Sequence, residues 1–144
     1  MTGTTITPYL TFAGRCEEAL EFYRKALGAE VVQLLRFKDA PPQAGMTVTP
    51  GTENKVMHCA LRIGEATVMA SDGRCGGSTS FQGTTLTLSL SSDAEAEHAY
   101  KALVDGGKAF MPLAKTFFAS SFGMINDRFG VPWMILVPQE PPRK

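Results

Sequence analysis

ITPYLTFAGRCEEALEFYRKALG, residues 6–28, contains the patterns of a short strand, a helix and a terminating glycine. The run Ile6–Phe12 is rich in β-branched and aromatic residues, which favours a strand. Gly28 stands where a left-handed cap usually ends a helix. Between them, apolar side chains recur with the period of an α-helix, at Cys16, Ala19, Leu20, Tyr23 and Leu27.

A second stretch, GTTLTLSLSSDAEAEHAYKALVDGG at residues 83–107, repeats that order. Within Thr84–Leu90, leucine alternates with threonine or serine, so a strand here presents leucines on one face and hydroxyls on the other. Ser92 and Glu95 have the spacing of a capping box that begins a helix. This second helix is expected to end at the paired glycines 106 and 107, and its predicted buried stripe is Ala96, Ala99, Tyr100 and Leu103.

Each stretch is followed by three further apolar segments that read as strands. The first set is Ala29–Phe37, Lys55–Ile63 and Ala66–Ser71, and the second is Lys108–Leu113, Phe122–Asn126 and Trp133–Val137. The pattern is therefore βαβββ twice. We expect an α+β fold in one domain over 1–144, with modules at about 5–72 and about 84–138. A pseudo-twofold arrangement of the two modules, each a curled mixed sheet, would enclose a central cleft.

Two segments do not fit regular structure. Asp39–Asn54 contains three prolines and two glycines, and a loop of that length in a small domain is either disordered or a lid. The polar, proline-rich tail Pro138–Lys144 is expected to fray.

Composition excludes several classes of function. The formal net charge is zero and Lys and Arg are scattered, which argues against nucleic acid. No apolar run is long enough to cross a membrane, and the N-terminus lacks the pattern of a signal peptide. The three cysteines, at unrelated spacings, favour a reduced cytoplasmic location.

Three segments carry a family resemblance: PYLTFAGRCEEALEFYRKALGAEV at 8–31, KVMHCALRIGEATVMASD at 55–72 and FGMINDRFGVPWMI at 122–135. Together they resemble the PhnB-like branch of the vicinal oxygen chelate superfamily. That superfamily includes glyoxalase I, extradiol dioxygenases, fosfomycin-resistance proteins and bleomycin-binding proteins. The resemblance extends from Thr7 to Val137. It implies paired βαβββ modules and a homodimer, in which one chain or two complete each pocket.

Enzymes of that superfamily hold a divalent metal with a His or Gln on the first strand of each half and a Glu near the last strand. Such oxygen and imidazole ligands suit Mn, Fe, Ni or Zn. The matching regions here are 7–9, 67–69, 84–86 and 133–135, and none contains His, Glu, Asp or Gln. The sequence therefore predicts that this metal site is absent, and no other cofactor is expected.

His58 and Asp72 are the candidate catalytic residues. His58 lies among apolar neighbours on the predicted strand Lys55–Ile63, and Asp72 ends the next strand. A carboxylate close to His58 could orient its imidazole, as paired acid–base groups require. PhnB-like sequences commonly carry this His and Asp pattern. The alternative for both residues is structural, with hydrogen bonds that only hold the fold.

Aromatic and methionine side chains are the candidate ligand contacts. Methionines on cleft-forming strands would make an adaptable apolar wall. The segment 115–123 is expected to be a loop at the mouth of the cleft, because its aromatics stand among small polar residues. The alternative is ordinary core packing, above all for the tryptophan. The predicted contacts are Tyr9, Met57, Met69, Phe118, Phe122 and Trp133.

These features predict a protein that binds a small, partly apolar or aromatic molecule in a cleft without metal. A metal-independent enzyme using His58 and Asp72 is the alternative, and a metal-dependent enzyme of the glyoxalase or dioxygenase type is the third. PhnB-like sequences are often labelled as ubiquinone-pathway methyltransferases. A nucleotide-type cofactor usually needs a glycine-rich loop between a strand and a helix, but the glycines at 73–77 precede a predicted strand.

Overall fold

The structure is a computed structural model that describes residues 2–40 and 50–139. The chain divides into two compact units, Met1–Thr79 and Ser80–Lys144. Residues 41–49 of the predicted lid or disordered loop, and 140–144 of the predicted tail, lie outside the described residues. At the start of that loop, a short 3-10 helix is formed by Phe37–Asp39.

The first unit has the predicted βαβββ order. Its elements are β1 (Tyr9–Thr11), α1 (Cys16–Leu27), β2 (Glu30–Arg36), β3 (Val56–Ile63) and β4 (Ala66–Ser71). The four strands form one mixed sheet in the order β1-β4-β3-β2. β1 runs parallel to β4, and the other pairs are antiparallel.

The second unit repeats this topology. Its elements are β5 (Leu86–Ser89), α2 (Asp93–Val104), β6 (Lys108–Ala114), β7 (Ala119–Asn126) and β8 (Pro132–Pro138). The sheet order is β5-β8-β7-β6, again with the first and last strands parallel. The predicted α+β class and the duplicated βαβββ pattern are confirmed.

The two helices begin and end close to the predicted residues. At the end of α1, Gly28 adopts φ 67° and its N–H donates to the carbonyl of Arg24. At the start of α2, the hydroxyl of Ser92 accepts from the N–H of Glu95, as the capping box requires. The predicted stripe on α2 needs one change, because Tyr100 is only half-buried while Leu103 is fully buried.

Two strands differ from the prediction by three residues at their first end. β1 is shorter than Ile6–Phe12, and the side chain of Ile6 is 96% exposed. β7 begins at Ala119, so half of the predicted loop 115–123 is strand. The small residues there pair with the end of β8, with Ala119 opposite Pro138.

The first sheet presents one face to α1. Cys59 of β3 lies on that face, because its Sγ is 3.8 Å from the Sγ of Cys16 in α1. Side chains alternate along a strand, so His58 and Ala60 lie on the opposite side. We call the side opposite α1 the helix-free face of the first sheet. In the second sheet, burial alternates along β8, with Trp133 and Ile135 in the core and Met134 half-buried.

Neither of the two helices in the described part of the chain has the length and apolar character needed to span a bilayer.

Candidate functional site

The helix-free face of the first sheet is organised in rows that cross its four strands. In one row, Tyr9 pairs with Met69, Met69 with Ala60, and Ala60 with Gln33. In the next row, His58 lies opposite Leu35. β1 pairs with β4, which in turn pairs with β3. This register brings Tyr9 and His58 together although 49 residues separate them in the chain.

Tyr9 and His58 form a hydrogen-bonded pair on this face. The hydroxyl of Tyr9 is 3.1 Å from Nδ1 of His58, and the two ring centroids are 5.6 Å apart. Tyr9 is 50% exposed and His58 is half-buried, so a small molecule has access to the pair. Two predicted site residues thus meet, but the hydroxyl of Tyr9 as the partner of His58 was not foreseen.

An ion pair lies further along the same face. Arg62 and Glu30 are paired in register across β3 and β2, and their side chains form a salt bridge. Both side chains are more than half exposed. Solvent screens such a pair strongly, so its contribution to stability is small.

Asp72 does not orient His58. Asp72 is 1% exposed, and its carboxylate accepts three backbone N–H groups. Oδ1 accepts from Gly14 (2.9 Å) and Cys16 (2.8 Å), and Oδ2 accepts from Val56 (2.8 Å). The predicted His58–Asp72 catalytic pair is therefore not formed, because this carboxylate joins the entry of α1 to the start of β3.

Trp133 belongs to the core of the second unit. It is 3% exposed, and its Nε1–H donates to Oδ2 of Asp127 at 2.9 Å. Asp127 also accepts at Oδ1 from the backbone N–H groups of Phe129 and Val131. The burial of Trp133 favours the packing alternative over the predicted ligand contact.

The aromatic segment at the start of β7 is divided between surface and core. The hydroxyl of Thr116 accepts from the N–H of Phe118 and of Ala119, which bends the chain there. Phe118 is 44% exposed, and its ring lies 5.1 Å from that of Phe122, measured between centroids. Phe122 is only 8% exposed, so the structure supports Phe118 as an accessible contact better than Phe122.

Met57 lies at an irregularity in β3. Arg36 pairs with Val56 and Leu35 pairs with His58, which leaves Met57 as the extra residue of a bulge. Its side chain is half-buried. Met69, by contrast, lies directly beside Tyr9 in the row described above.

The donor chemistry at the superfamily's metal positions does not fit a divalent metal. In the first sheet the relevant strands present Tyr9 beside Met69. In the second, Thr87, one residue beyond the matching region 84–86, lies beside Met134. Thioethers and hydroxyls replace the imidazole and carboxylate ligands that Mn, Fe, Ni or Zn prefer. Within residues 2–40 and 50–139, no group of three or more His, Cys, Asp or Glu side chains gathers as a metal site would require. That the chain works without metal stays a prediction.

The surroundings of Cys75 oppose a role as a reactive thiol. Burial, and then the nearby charge of Asp72, raise the pKa of the Cys75 thiol. A raised pKa lowers the fraction of thiolate, which is the nucleophilic form.

A groove in the second unit was not predicted from the sequence. It has a volume of about 390 Å³ and is lined by residues that include Asp93, Tyr100, Leu113 and Lys115. Oδ1 of Asp93 accepts from the hydroxyls of Ser120 and Ser121, both at 2.7 Å. Those hydrogen bonds, with that of Ser121 the largest cause, hold the pKa of Asp93 below its usual range. In the sequence, Asp93 lies between Ser92 and Glu95 of the predicted capping box, and no pattern marked it as a site residue.

The architecture defines the class of protein. Two βαβββ units, each with a mixed sheet ordered 1-4-3-2, form the glyoxalase/bleomycin resistance/dioxygenase fold. Solved proteins of this fold that are 9% and 15% identical to the chain each give a TM-score of 0.62. At these identities the likeness shows the fold alone.

The chain belongs to the family described as 3-demethylubiquinone-9 3-methyltransferase, which it matches over residues 4–136. The resemblance to PhnB-like proteins is thereby confirmed. Protein PA1353 from Pseudomonas aeruginosa is 39% identical, with a TM-score of 0.83, 96% of this chain covered and 100% of that one. A PhnB protein from Bacillus cereus is 27% identical, with a TM-score of 0.76 and coverage of 93% and 99%. Protein YjdN of Escherichia coli is 34% identical over 146 residues, 95% of this chain and 97% of its own.

Proposed function

We propose that this protein binds a small, partly apolar or aromatic molecule on the helix-free face of its first sheet, without the metal of the superfamily's enzymes. The observation that carries the proposal is the Tyr9–His58 pair. It offers accessible polar atoms beside the apolar side chain of Met69. A few placed polar groups on a largely apolar lining are typical of small-molecule sites.

Binding is favoured over catalysis by the partners of the site residues. A histidine that acts as a general base is usually oriented by an acceptor, often a carboxylate, on its other nitrogen. The only carboxylate that the sequence offered for this role, Asp72, is engaged by three backbone N–H groups. The alternative of a metal-independent enzyme using His58 and Asp72 therefore loses its orienting group.

We do not propose methyl transfer for this protein, although its family is described as a methyltransferase. The glycines at 73–77 follow β4, but the next regular element in the chain is the strand β5, so no helix follows that loop. Nucleotide-type cofactors are usually held by a strand, a glycine-rich loop and a helix in that order.

The test is a screen of small aromatic and branched apolar compounds by saturation-transfer NMR. Compounds that bind the wild-type protein are then compared with the His58→Ala variant. We expect its affinity to fall about tenfold, because a hydrogen bond to the ligand is lost. His98→Ala is the matched control, since His98 is exposed on α2 and lies outside the proposed site.

Equal binding by His58→Ala and wild type would place the ligand elsewhere and contradict the proposal. A change in binding for His98→Ala alone would do the same. Melting curves of both variants establish that the fold is intact before binding is compared.

A further inference from the structure

We propose that the ligand carries an oxygen that accepts a hydrogen bond from Nε2–H of His58, as the carbonyl or carboxylate of an aromatic acid or amide does. This inference rests on the proposed function. It concerns the one feature of the site that the structure fixes in detail, the contact between Tyr9 and Nδ1 of His58.

The direction of the Tyr9–His58 hydrogen bond follows from the chemistry of its two groups. A neutral imidazole has one N–H and one bare nitrogen, and a phenol can donate or accept. The phenol O–H is the more acidic donor and the bare imidazole nitrogen the more basic acceptor. The favoured arrangement is therefore donation from the Tyr9 hydroxyl to Nδ1, which leaves the imidazole proton on Nε2.

This tautomer decides what His58 can do. Nε2 carries a proton and has no free lone pair, so in the neutral imidazole it donates a hydrogen bond rather than removing a proton from a substrate. A histidine that acts as the general base of a catalytic triad has the reverse arrangement, with Nδ1–H donated to a carboxylate and Nε2 bare. Tyr9 thus makes His58 a binding donor, which agrees with the binding function proposed above.

The neighbours of His58 define the rest of the ligand class. Leu35 lies opposite His58 in β2, and Met69 lies beside Tyr9 in β4. Continuing the antiparallel register of β3 and β4 places Ser71 beside His58, and its Oγ accepts from the N–H of Gly73 at 2.8 Å. A donor at Nε2, on a face that also carries Leu35 and Met69, suits a small aromatic or branched apolar molecule with one acceptor oxygen.

The first arm of the test needs no ligand. Long-range 1H–15N NMR distinguishes the two tautomers of His58 at about pH 8.5, where an ordinary imidazole is neutral. We expect the Nε2–H form in the wild type and a mixture of forms in Tyr9→Phe. His98 supplies the internal reference, since it is exposed. A wild-type His58 with its proton on Nδ1 would overturn the inference whatever the protein binds.

The second arm compares three probes of similar size: benzoate, benzamide and benzylamine. Benzoate and benzamide carry an acceptor oxygen and benzylamine does not, so we expect the first two to bind about tenfold more tightly. A preference for benzoate over benzamide identifies the acceptor as a carboxylate, and equal affinities identify it as a carbonyl. His58→Gln, which keeps an N–H donor, should retain more affinity than His58→Ala.

The outcomes separate the two proposals. If benzylamine binds as well as benzamide, and both lose affinity in His58→Ala, the site is right and the inferred donor is wrong. If the aromatic compounds of the screen and all three probes bind His58→Ala as they bind the wild type, the proposed function itself fails.

Discussion

At the scale of single residues, two buried aspartates perform the same task in the two units. Asp72 accepts three backbone N–H groups from the entry of α1 and the start of β3. Asp127 accepts two backbone N–H groups and the indole N–H of Trp133. Buried charge is tolerated in proteins only when it is hydrogen-bonded in this way. Of the two, Asp72 holds the start of β3, a strand that carries the candidate site.

Replacing Asp72 with Asn tests the structural role of that carboxylate. An amide has one acceptor oxygen and a donor group that would meet a backbone N–H, so at least one N–H loses its partner. We expect the free energy of unfolding to fall by about 3 kcal/mol. Urea denaturation measures the change. Asp105→Asn is the control, because Asp105 is 78% exposed in its pair with Arg128 and should shift stability by less than about 1 kcal/mol. Equal effects in both variants would contradict this role.

Replacing Trp133 separates its packing from its hydrogen bond. Trp133→Ala should lower the free energy of unfolding by about 3–5 kcal/mol, since the side chain is 3% exposed. Trp133→Phe keeps much of the packing but leaves Oδ2 of Asp127 without the indole donor, so a smaller loss is expected. Chemical denaturation followed by circular dichroism measures both. A melting temperature that hardly moves in Trp133→Ala would show that the residue is not part of the core.

At the scale of elements, the hydrogen bonds between α2 and β7 should make the stability of the fold depend on pH. Asp93, in the first turn of α2, accepts from the hydroxyls of Ser121 and Ser120 in β7. These bonds lower the pKa of Asp93 in the folded protein. A carboxyl group with a depressed pKa stabilises the fold above its unfolded pKa, and that stabilisation is lost as the pH falls through its folded pKa.

Asp93→Asn should therefore be less stable than the wild type near pH 7. The difference should shrink as the pH falls below about 4, because the wild-type carboxyl group is then protonated as well. Melting temperatures of both proteins from about pH 7 to pH 3 measure this. A difference that stays constant over that range would show that the ionised carboxylate does not contribute.

Helices and strands could be predicted from the sequence because their signals are local. The stripe of α1, the glycine at position 28 and the capping box of α2 each depend on residues a few positions apart. The bounds of β7 could not be predicted, since Ala119 joins the strand only because β8 lies opposite it. The bulge at Met57 depends in the same way on its pairing with β2.

The candidate site could be predicted only in part, for the same reason. Tyr9, His58 and Met69 were identified from their residue types and strand positions. The contact between Tyr9 and His58 depends on the parallel pairing of β1 with β4, which are distant in the chain. No local sequence pattern encodes that pairing. For Asp72 the structural role was the alternative, but its partners could not be identified because they lie up to 58 residues away in the chain.

At the scale of the whole molecule, the predicted homodimer remains to be measured. Both sheets end in edge strands with exposed apolar side chains, Val32 on β2 at 54% and Phe110 on β6 at 57%. Such edges favour association with another chain. Sedimentation equilibrium should give twice the chain mass of 15.5 kDa. The mass of a single chain at micromolar concentration would contradict the prediction.

An NMR titration with benzoate tests whether ligand binds on the helix-free face of the first sheet. We expect the largest backbone shifts on β1, β3 and β4, around Tyr9, His58 and Met69. The double variant Tyr9→Phe with His58→Ala should remove these shifts. Shifts confined to the groove around Asp93 and Ser121, or no shifts at all, would contradict binding at this face.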